Sequence, residues 1–419
     1  LVSQVLDVYL STERVGKLHL DDERRFVFEY HPDWVVAHKT QPLSLSLPVR
    51  TKPYSDALAQ SFFANLLPEA DIRYFIAKSL GLSEKNDFAL LEAIGGECAG
   101  AVSLFPEGMK FPTHSDYKKL DDDALNKLIA DLPVQPMMAG EQGIRLSLAG
   151  AQNKLPVFYD NDAISIPRGI AASSHILKLP MKHYVNTVAN EYFCMQLAKE
   201  INLNVPETHI LNKAVPLYLI ERYDRIYDAR GDLVRLPQED FCQAMAISPN
   251  NKYEKEGGPS LKACFKLVRN CSIQPTKDLN ELLNWVIFNY LIGNADAHGK
   301  NVSLMLTPEG PILAPFYDLM STAIYPNLAQ KMAMKMGGED RADWLIAQRW
   351  EQFSEDIGIK LKLVRHRCLT MADELSSCAV NQASQFQQTH GDNEQIKKIV
   401  ELIEQRKKKL NTLFSLENN

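Results

Sequence analysis

An apolar stretch, Leu282 to Ile292, runs almost directly into the polar segment Asn294-Ala295-Asp296-Ala297-His298-Gly299-Lys300-Asn301, and that segment runs directly into a strand pattern, Val302 to Leu306. A buried helix must therefore stop, turn and restart as a strand within nine residues. Taken alone it could be only a turn, because Gly, Asn and Asp dominate turns for conformational reasons.

The spacing inside the corner changes this reading. Asp296 precedes Asn301 by five positions. Protein kinases place a catalytic Asp and a Mg²⁺-binding Asn at that spacing, and add a second Mg²⁺-binding Asp on a later segment. Here Phe316-Tyr317-Asp318 ends a strand-like run after the turn Thr307-Pro308-Glu309-Gly310, so a hairpin would return Asp318 beside Asn301. The residue types suit the chemistry. A transferring phosphoryl group needs its charge neutralised and its nucleophile aligned. Asn301 and Asp318 supply the oxygens that hard Mg²⁺ prefers. Asp296 would orient the acceptor hydroxyl and take its proton.

A kinase also needs a lysine for the nucleotide phosphates. Lys178 sits in the apolar strand pattern His175 to Leu179, sharing a face with Ile176. A lysine there needs an anionic partner, and Glu191 on the following helix is one possibility. The bland reading is an edge-strand lysine facing solvent. Leu148-Ala149-Gly150-Ala151-Gln152-Asn153-Lys154 connects strands expected around Ile144 to Leu148 and Leu155 to Tyr159. It lacks the spacing of a Walker A loop. It gains interest only because Lys178 follows.

The first half of the chain otherwise reads as strands, including Val5 to Leu10 and Arg25 to Tyr30. Helices are expected within Asp56 to Leu80, split by Pro68 and stopped by Gly81, and at Ala124 to Leu132. A junction is expected at 107–143. From Asp240 the pattern is mainly helical, apart from a loop at 248–260. At roughly 150 residues per domain, 419 residues imply two to three core-forming units. The balance of 45% hydrophobic and 23% charged residues excludes general disorder.

Net charge is −6, which disfavours a dedicated nucleic-acid binder. The dense basic run Arg406 to Lys409 follows apolar positions at Ile396, Ile399, Val400 and Ile403, and reads as a solvated helix end. Seven scattered cysteines without a C-x-x-C pair argue against a disulfide framework and for a reduced cytoplasm. No apolar run approaches the roughly 18 residues of a membrane span. The opening segment mixes apolar and polar positions and lacks a signal peptide's apolar block.

Taken in order, several segments resemble the HipA-type toxin kinases of bacterial HipA–HipB toxin–antitoxin systems. They include Pro42 to Pro48, Asn65 to Pro68, Ser147 to Gln152, His175 to Pro180, Asn204 to Pro206, Glu221 to Arg225, Arg235 to Asp240, Gly257 to Pro259, and the Asp296 and Asp318 segments. The resemblance implies an α+β, two-lobed protein-kinase-like fold with a mainly β N-lobe and a mainly α C-lobe. Residues 1–222 would form the N-lobe, with an N-terminal subdomain at 1–107 and a nucleotide-binding part at 144–222. Residues 223–419 would form the helical C-lobe.

It further implies a Mg·ATP-dependent protein serine/threonine kinase. Asp296 matches the catalytic Asp and Asp318 the Mg²⁺ ligand. Lys178 matches the ATP-phosphate lysine, Glu221, Arg222 and Tyr223 the hinge that meets the adenine, and His298, Gly299, Lys300 and Asn301 the catalytic-loop nucleotide contacts. Ser147 matches an autophosphorylated serine whose modification would eject loop 148–154 and switch the kinase off. The implied partners are a small HipB-like DNA-binding antitoxin, operator DNA mainly through it, and an aminoacyl-tRNA synthetase substrate, notably the glutamyl enzyme. Phosphorylating that enzyme would stall translation and favour dormancy. Three alternatives stay open on the residues: a small-molecule phosphotransferase of similar fold, a catalytically silent corepressor, and a metal-dependent phosphohydrolase using Asp296, His298 and Asp318.

Overall fold

The computed structural model describes residues 5–141 and 143–415. These divide into two compact units that interleave along the chain. The first comprises residues up to 179, 211–250 and 304–308. The second comprises 180–210, 251–303 and 309 onward. The first is rich in sheet, the second in helix.

In the first unit, Val5–Leu10 pairs antiparallel with Glu13–Leu20 on one side and Val102–Pro106 on the other, and Phe26–Tyr30 pairs with Glu13–Leu20. Alternation places Leu6, Val8, Leu18, Phe26 and Phe28 in a core with Phe62 and Phe63 of helix Asp56–Ala64. The expected break at Pro68 separates that helix from Ala70–Ser79. A second sheet follows loop 148–154. In it Lys154–Asp160 pairs with Ala163–Gly169 and with His175–Lys178, which in turn pairs with Pro216–Glu221.

The expected strand at Ile144 to Leu148 does not form. Leu146 makes a single bridge to Glu97, and Ser147 donates its N–H to the Glu97 carbonyl at 2.9 Å. The alternation there reflects burial of Ile144, Leu146 and Leu148 in an irregular segment, which a strand pattern cannot be told from by periodicity alone.

Glu239 ties this unit together from beneath. Its carboxylate accepts from the Ser44 hydroxyl and from the Leu45 N–H at 2.9 Å. Burial, opposed by these two bonds, pushes the carboxyl up to about 7. A carboxyl raised on folding holds its proton better in the native state, so its contribution is fully present below its unfolded value near 4.5 and is lost as pH rises through about 7. Glu239→Gln should remove a fall in stability of order 3 kcal/mol between pH 4.5 and 7.5. Urea midpoints across that range, wild type against variant, check this.

In the second unit, helix Leu361–His390 packs against Thr187–Glu200, Pro275–Ile292 and Glu394–Ser415. The last helix buries Ile396, Ile399 and Ile403 as its apolar spacing predicts. Arg406 corrects the expectation of a solvated basic end. It continues the same three-to-four stripe and is buried, with its guanidinium 4.9 Å from the Tyr290 ring centroid. Helical position has outweighed charge, and an aromatic face offsets the lost water. The helix also continues to Ser415, so the basic run is not its end. All seven cysteines are free thiols. Among the described residues no helix is long and apolar enough to cross a membrane.

Candidate active site

The helix Pro275–Ile292 ends at Gly293, whose φ of +77° is costly for any residue with a Cβ. A Cβ there would also lie 2.5 Å from Leu402 and 2.9 Å from Ala323. The chain is thereby turned sharply into the polar segment. Asn294 clamps the turn: its amide donates to Asn289 Oδ1 at 2.8 Å, and its Oδ1 accepts from the Asp296 N–H at 3.0 Å. The Thr322 hydroxyl accepts from the Ala295 N–H at 2.7 Å.

Asn301 closes the loop from the other end. Its Nδ2 donates to the Asp296 carbonyl at 3.0 Å. The residues five apart in sequence are therefore brought together, and the Asn301 carbonyl oxygen is the half of its amide not engaged by that bond. His298, Gly299, Lys300 and Asn301 are buried, whereas Asp296 and Asp318 keep partial exposure. Burial of the loop thus spares the two carboxylates.

The chain then reverses, and the Ala314 N–H donates to the Ser303 carbonyl at 2.9 Å. Tyr317 hydrogen-bonds the Lys300 carbonyl at 2.8 Å and Ser303 Oγ at 2.7 Å. The Asp318 carbonyl accepts from the Asn294 amide at 3.5 Å. The reversal thus returns Asp318 to the loop. It does so from irregular backbone, because the strand ends at Leu313. Asp318 has φ of +59°, a conformation that Asp tolerates better than most residues and that often marks functional positions. Among the described residues, no group of three His, Cys, Asp or Glu is placed to hold a metal. Two protein oxygens suit Mg²⁺, which is commonly held by one or two side chains with phosphates and water completing its shell.

The first unit holds the other half of the expected residues. Strand His175–Lys178 lies between two neighbours, so Lys178 is not on an edge, and it is only 7% exposed. Its ammonium lies 5.6 Å from the Tyr218 ring centroid. Lys154 sits opposite Lys178 in register and donates to the Ala149 carbonyl, folding loop 148–154 back on itself. Gln152 donates to the Leu179 carbonyl at 2.9 Å, and the Asn153 carbonyl accepts from the Leu179 N–H at 3.0 Å. The Gly150 carbonyl accepts from the Glu69 N–H at 3.1 Å. Ser147 is fully buried, its hydroxyl donating to the Leu66 carbonyl at 2.7 Å.

Past Glu221, which is exposed, the chain enters a buried charge network. Arg222 contacts Asp224 at 2.8 Å and Glu97 at 3.3 Å, and Arg225 contacts Glu97 at 2.8 Å and Asp224 at 3.1 Å. Ser173 donates to Glu97 at 2.7 Å. Burial would push Glu97 up, but Arg225, Arg222 and Arg235 hold its carboxyl down at about 2. Asp224 is likewise desolvated, yet held well below the usual range by Arg222 and Arg225. The Arg222 side chain is thus committed inside the protein, while the Tyr223 hydroxyl reaches Gln238 at 3.0 Å.

Sequence reading missed this network, although Arg222, Asp224, Arg225 and Arg235 lie in the segments Glu221 to Arg225 and Arg235 to Asp240. The alternating charges Glu221, Arg222, Asp224 and Arg225, directly after the apolar run Leu217 to Ile220, were the available signal. It also missed Tyr317 and Tyr253, whose hydroxyl donates to Asp296 Oδ1 at 2.6 Å.

A sheet-rich unit with a buried strand lysine and a helical unit with an Asp–Asn loop define a protein-kinase-like fold. A family model described as HipA N-terminal domain matches residues 6–105, and one described as HipA-like C-terminal domain matches 146–413. The chain belongs to the HipA toxin-kinase family. It is 41% identical to the putative kinase Y4mE of Sinorhizobium fredii, over 88% of this chain and 90% of that protein. It is 32% identical to the serine/threonine-protein kinase toxin HipA of Shewanella oneidensis, over 86% and 84%. A chain in the solved Shewanella complex of HipA, HipB and operator DNA superposes with a TM-score of 0.84 at 29% identity, covering 98% of this chain and 97% of that one.

Proposed function

We propose that this chain is a Mg·ATP-dependent protein serine/threonine kinase, the toxin of a toxin–antitoxin pair. The observation that carries the reading is the partly exposed Asp296 carboxylate on a loop whose backbone is held from both ends by Asn294 and Asn301. Asp296 orients the acceptor hydroxyl and receives its proton. Asn301 and Asp318 hold Mg²⁺ through their oxygens, and the ion when bound neutralises phosphate charge. Lys178 and loop 148–154 bind the phosphates. Residues 221–223 meet the adenine, Arg222 through its backbone because its guanidinium is occupied. His298 to Lys300 complete the nucleotide contacts. Residues 1–222 and 223–419 are the functional lobes of this reading.

Kinase names among the relatives and the full-length likeness to the Shewanella chain support it. By the same likeness, the partners are a HipB-like antitoxin and, mainly through it, operator DNA. The substrate is a translation component, an aminoacyl-tRNA synthetase such as the glutamyl enzyme, and the compartment is the cytoplasm.

Ser147 is the regulatory acceptor. Its hydroxyl cannot accept a phosphate while buried on the Leu66 carbonyl, so modification requires the segment to leave, and a phosphate then prevents its return. Intact mass and peptide mapping after Mg·ATP treatment of phosphatase-treated protein should show one phosphate on Ser147, absent from Ser147→Ala. Ser147→Asp should weaken ATP binding about tenfold or more, by the cost of burying a charge in that place. ATP binding without transfer to Ser147 or any protein acceptor would overturn the reading in favour of a silent corepressor.

A further inference from the structure

Tyr253 lies 43 residues ahead of Asp296, in the loop between the single turns Pro249–Asn251 and Glu254–Glu256. Its hydroxyl donates to Asp296 Oδ1 at 2.6 Å, and its ring meets that of His298 edge-on at 5.2 Å. One residue earlier, the Lys252 carbonyl accepts from the Gly299 N–H at 3.4 Å. The loop is therefore fastened to the catalytic segment by a side chain, a ring and the backbone.

The loop is also built to hold its shape. The Tyr253 carbonyl accepts from both the Glu256 and Gly258 N–H groups at 2.9 Å. A Cβ at Gly258 would lie 2.3 Å from the Asn251 carbonyl oxygen and 2.7 Å from that of Tyr253, so only glycine lets the backbone pass.

We propose that Tyr253 is a positioning residue for phosphoryl transfer, holding the Asp296 carboxylate by Oδ1 and leaving Oδ2 for the acceptor hydroxyl. The proposal rests on the reading of Asp296 as the group that takes the acceptor's proton. Asn294 and Asn301 fix the backbone of Asp296 but not the plane of its carboxyl, and that terminal torsion is broad. A carboxylate offers about four lone-pair sites, so a bond at one oxygen leaves the other able to accept. In the reaction the acceptor proton passes to Oδ2, the acceptor oxygen bonds to the γ-phosphorus, and the β–γ bridging oxygen leaves with ADP. A carboxyl free to rotate meets that geometry less often.

The test uses the full chain, freed of phosphate, and follows phosphate incorporation from Mg·ATP at varied ATP concentration. Tyr253→Phe removes only the hydroxyl and keeps the ring on His298. Its maximal rate should fall about 10- to 100-fold, with the half-saturating ATP concentration within about twofold of wild type. Its melting temperature should match wild type, which separates positioning from folding. A rate equal to wild type overturns the proposal. So does a faster rate, which would show that the phenol blocks the acceptor's place, and so does phosphate recovered on Tyr253. Asp296→Asn is run beside it: if that variant keeps the wild-type rate, or wild type incorporates nothing, the underlying reading of Asp296 has failed as well.

Discussion

Asp296→Asn should lower phosphoryl transfer by about 10² to 10⁴-fold, the range for losing a general base, while ATP binding stays within a few-fold of wild type. The split follows from the geometry. The backbone of Asp296 is tied into the loop by its bonds to Asn294 and Asn301, and in the proposed function its side chain serves the reaction. Asn keeps the backbone role and nearly the same volume, but exchanges the anionic, proton-accepting carboxylate for a neutral amide. Fluorescent-nucleotide titration and phosphate incorporation measured on the same preparation check both halves. A comparable loss in ATP affinity would show instead that Asp296 holds the nucleotide.

Glu97→Ala should destabilise the protein by about 3–5 kcal/mol, the cost of removing one partner from a buried ion cluster. Glu97 receives Arg222, Arg225 and the Ser173 hydroxyl at once. Without it, those two guanidiniums and that of the nearby Arg235 keep Asp224 as their only anion in the network. The urea midpoint should fall with little change in slope. The acid dependence should change as well. A carboxyl held down at about 2 contributes stability that is present above its unfolded value near 4.5 and is lost as pH falls through about 2. The variant should lose part of this acid sensitivity. A midpoint shift equivalent to less than about 1 kcal/mol would mean that the cluster is no more than a set of weakly coupled surface-like pairs.

Lys178, Asp296, Asn301 and Asp318 drew attention in the sequence because each stood out against its local pattern, and the structure buries Lys178 in its strand and gathers the other three around one loop. A lysine interrupted an apolar strand, and two carboxylates and an amide stood at spacings that phosphoryl transfer uses. The periodic elements were legible for the same reason: Ile396, Ile399 and Ile403 repeat every three to four residues and are buried as that predicts. Arg406 was misread because charge was weighed above position on that same stripe. The strand expected at Ile144 to Leu148 was misread because irregular buried backbone and strand share an alternating pattern.

Local chemistry is written in the residues themselves: which of them can donate, accept, carry charge or turn the chain, and at what spacing along it. Which partners those groups meet follows only from packing. Tyr253 meets Asp296 from 43 residues away, Glu97 meets Arg225 across 128, and Ser147 meets Leu66 across 81. Spacing along the chain says nothing about such contacts. They arise only when separate apolar faces pack and carry their polar residues, already desolvated, into one another's reach.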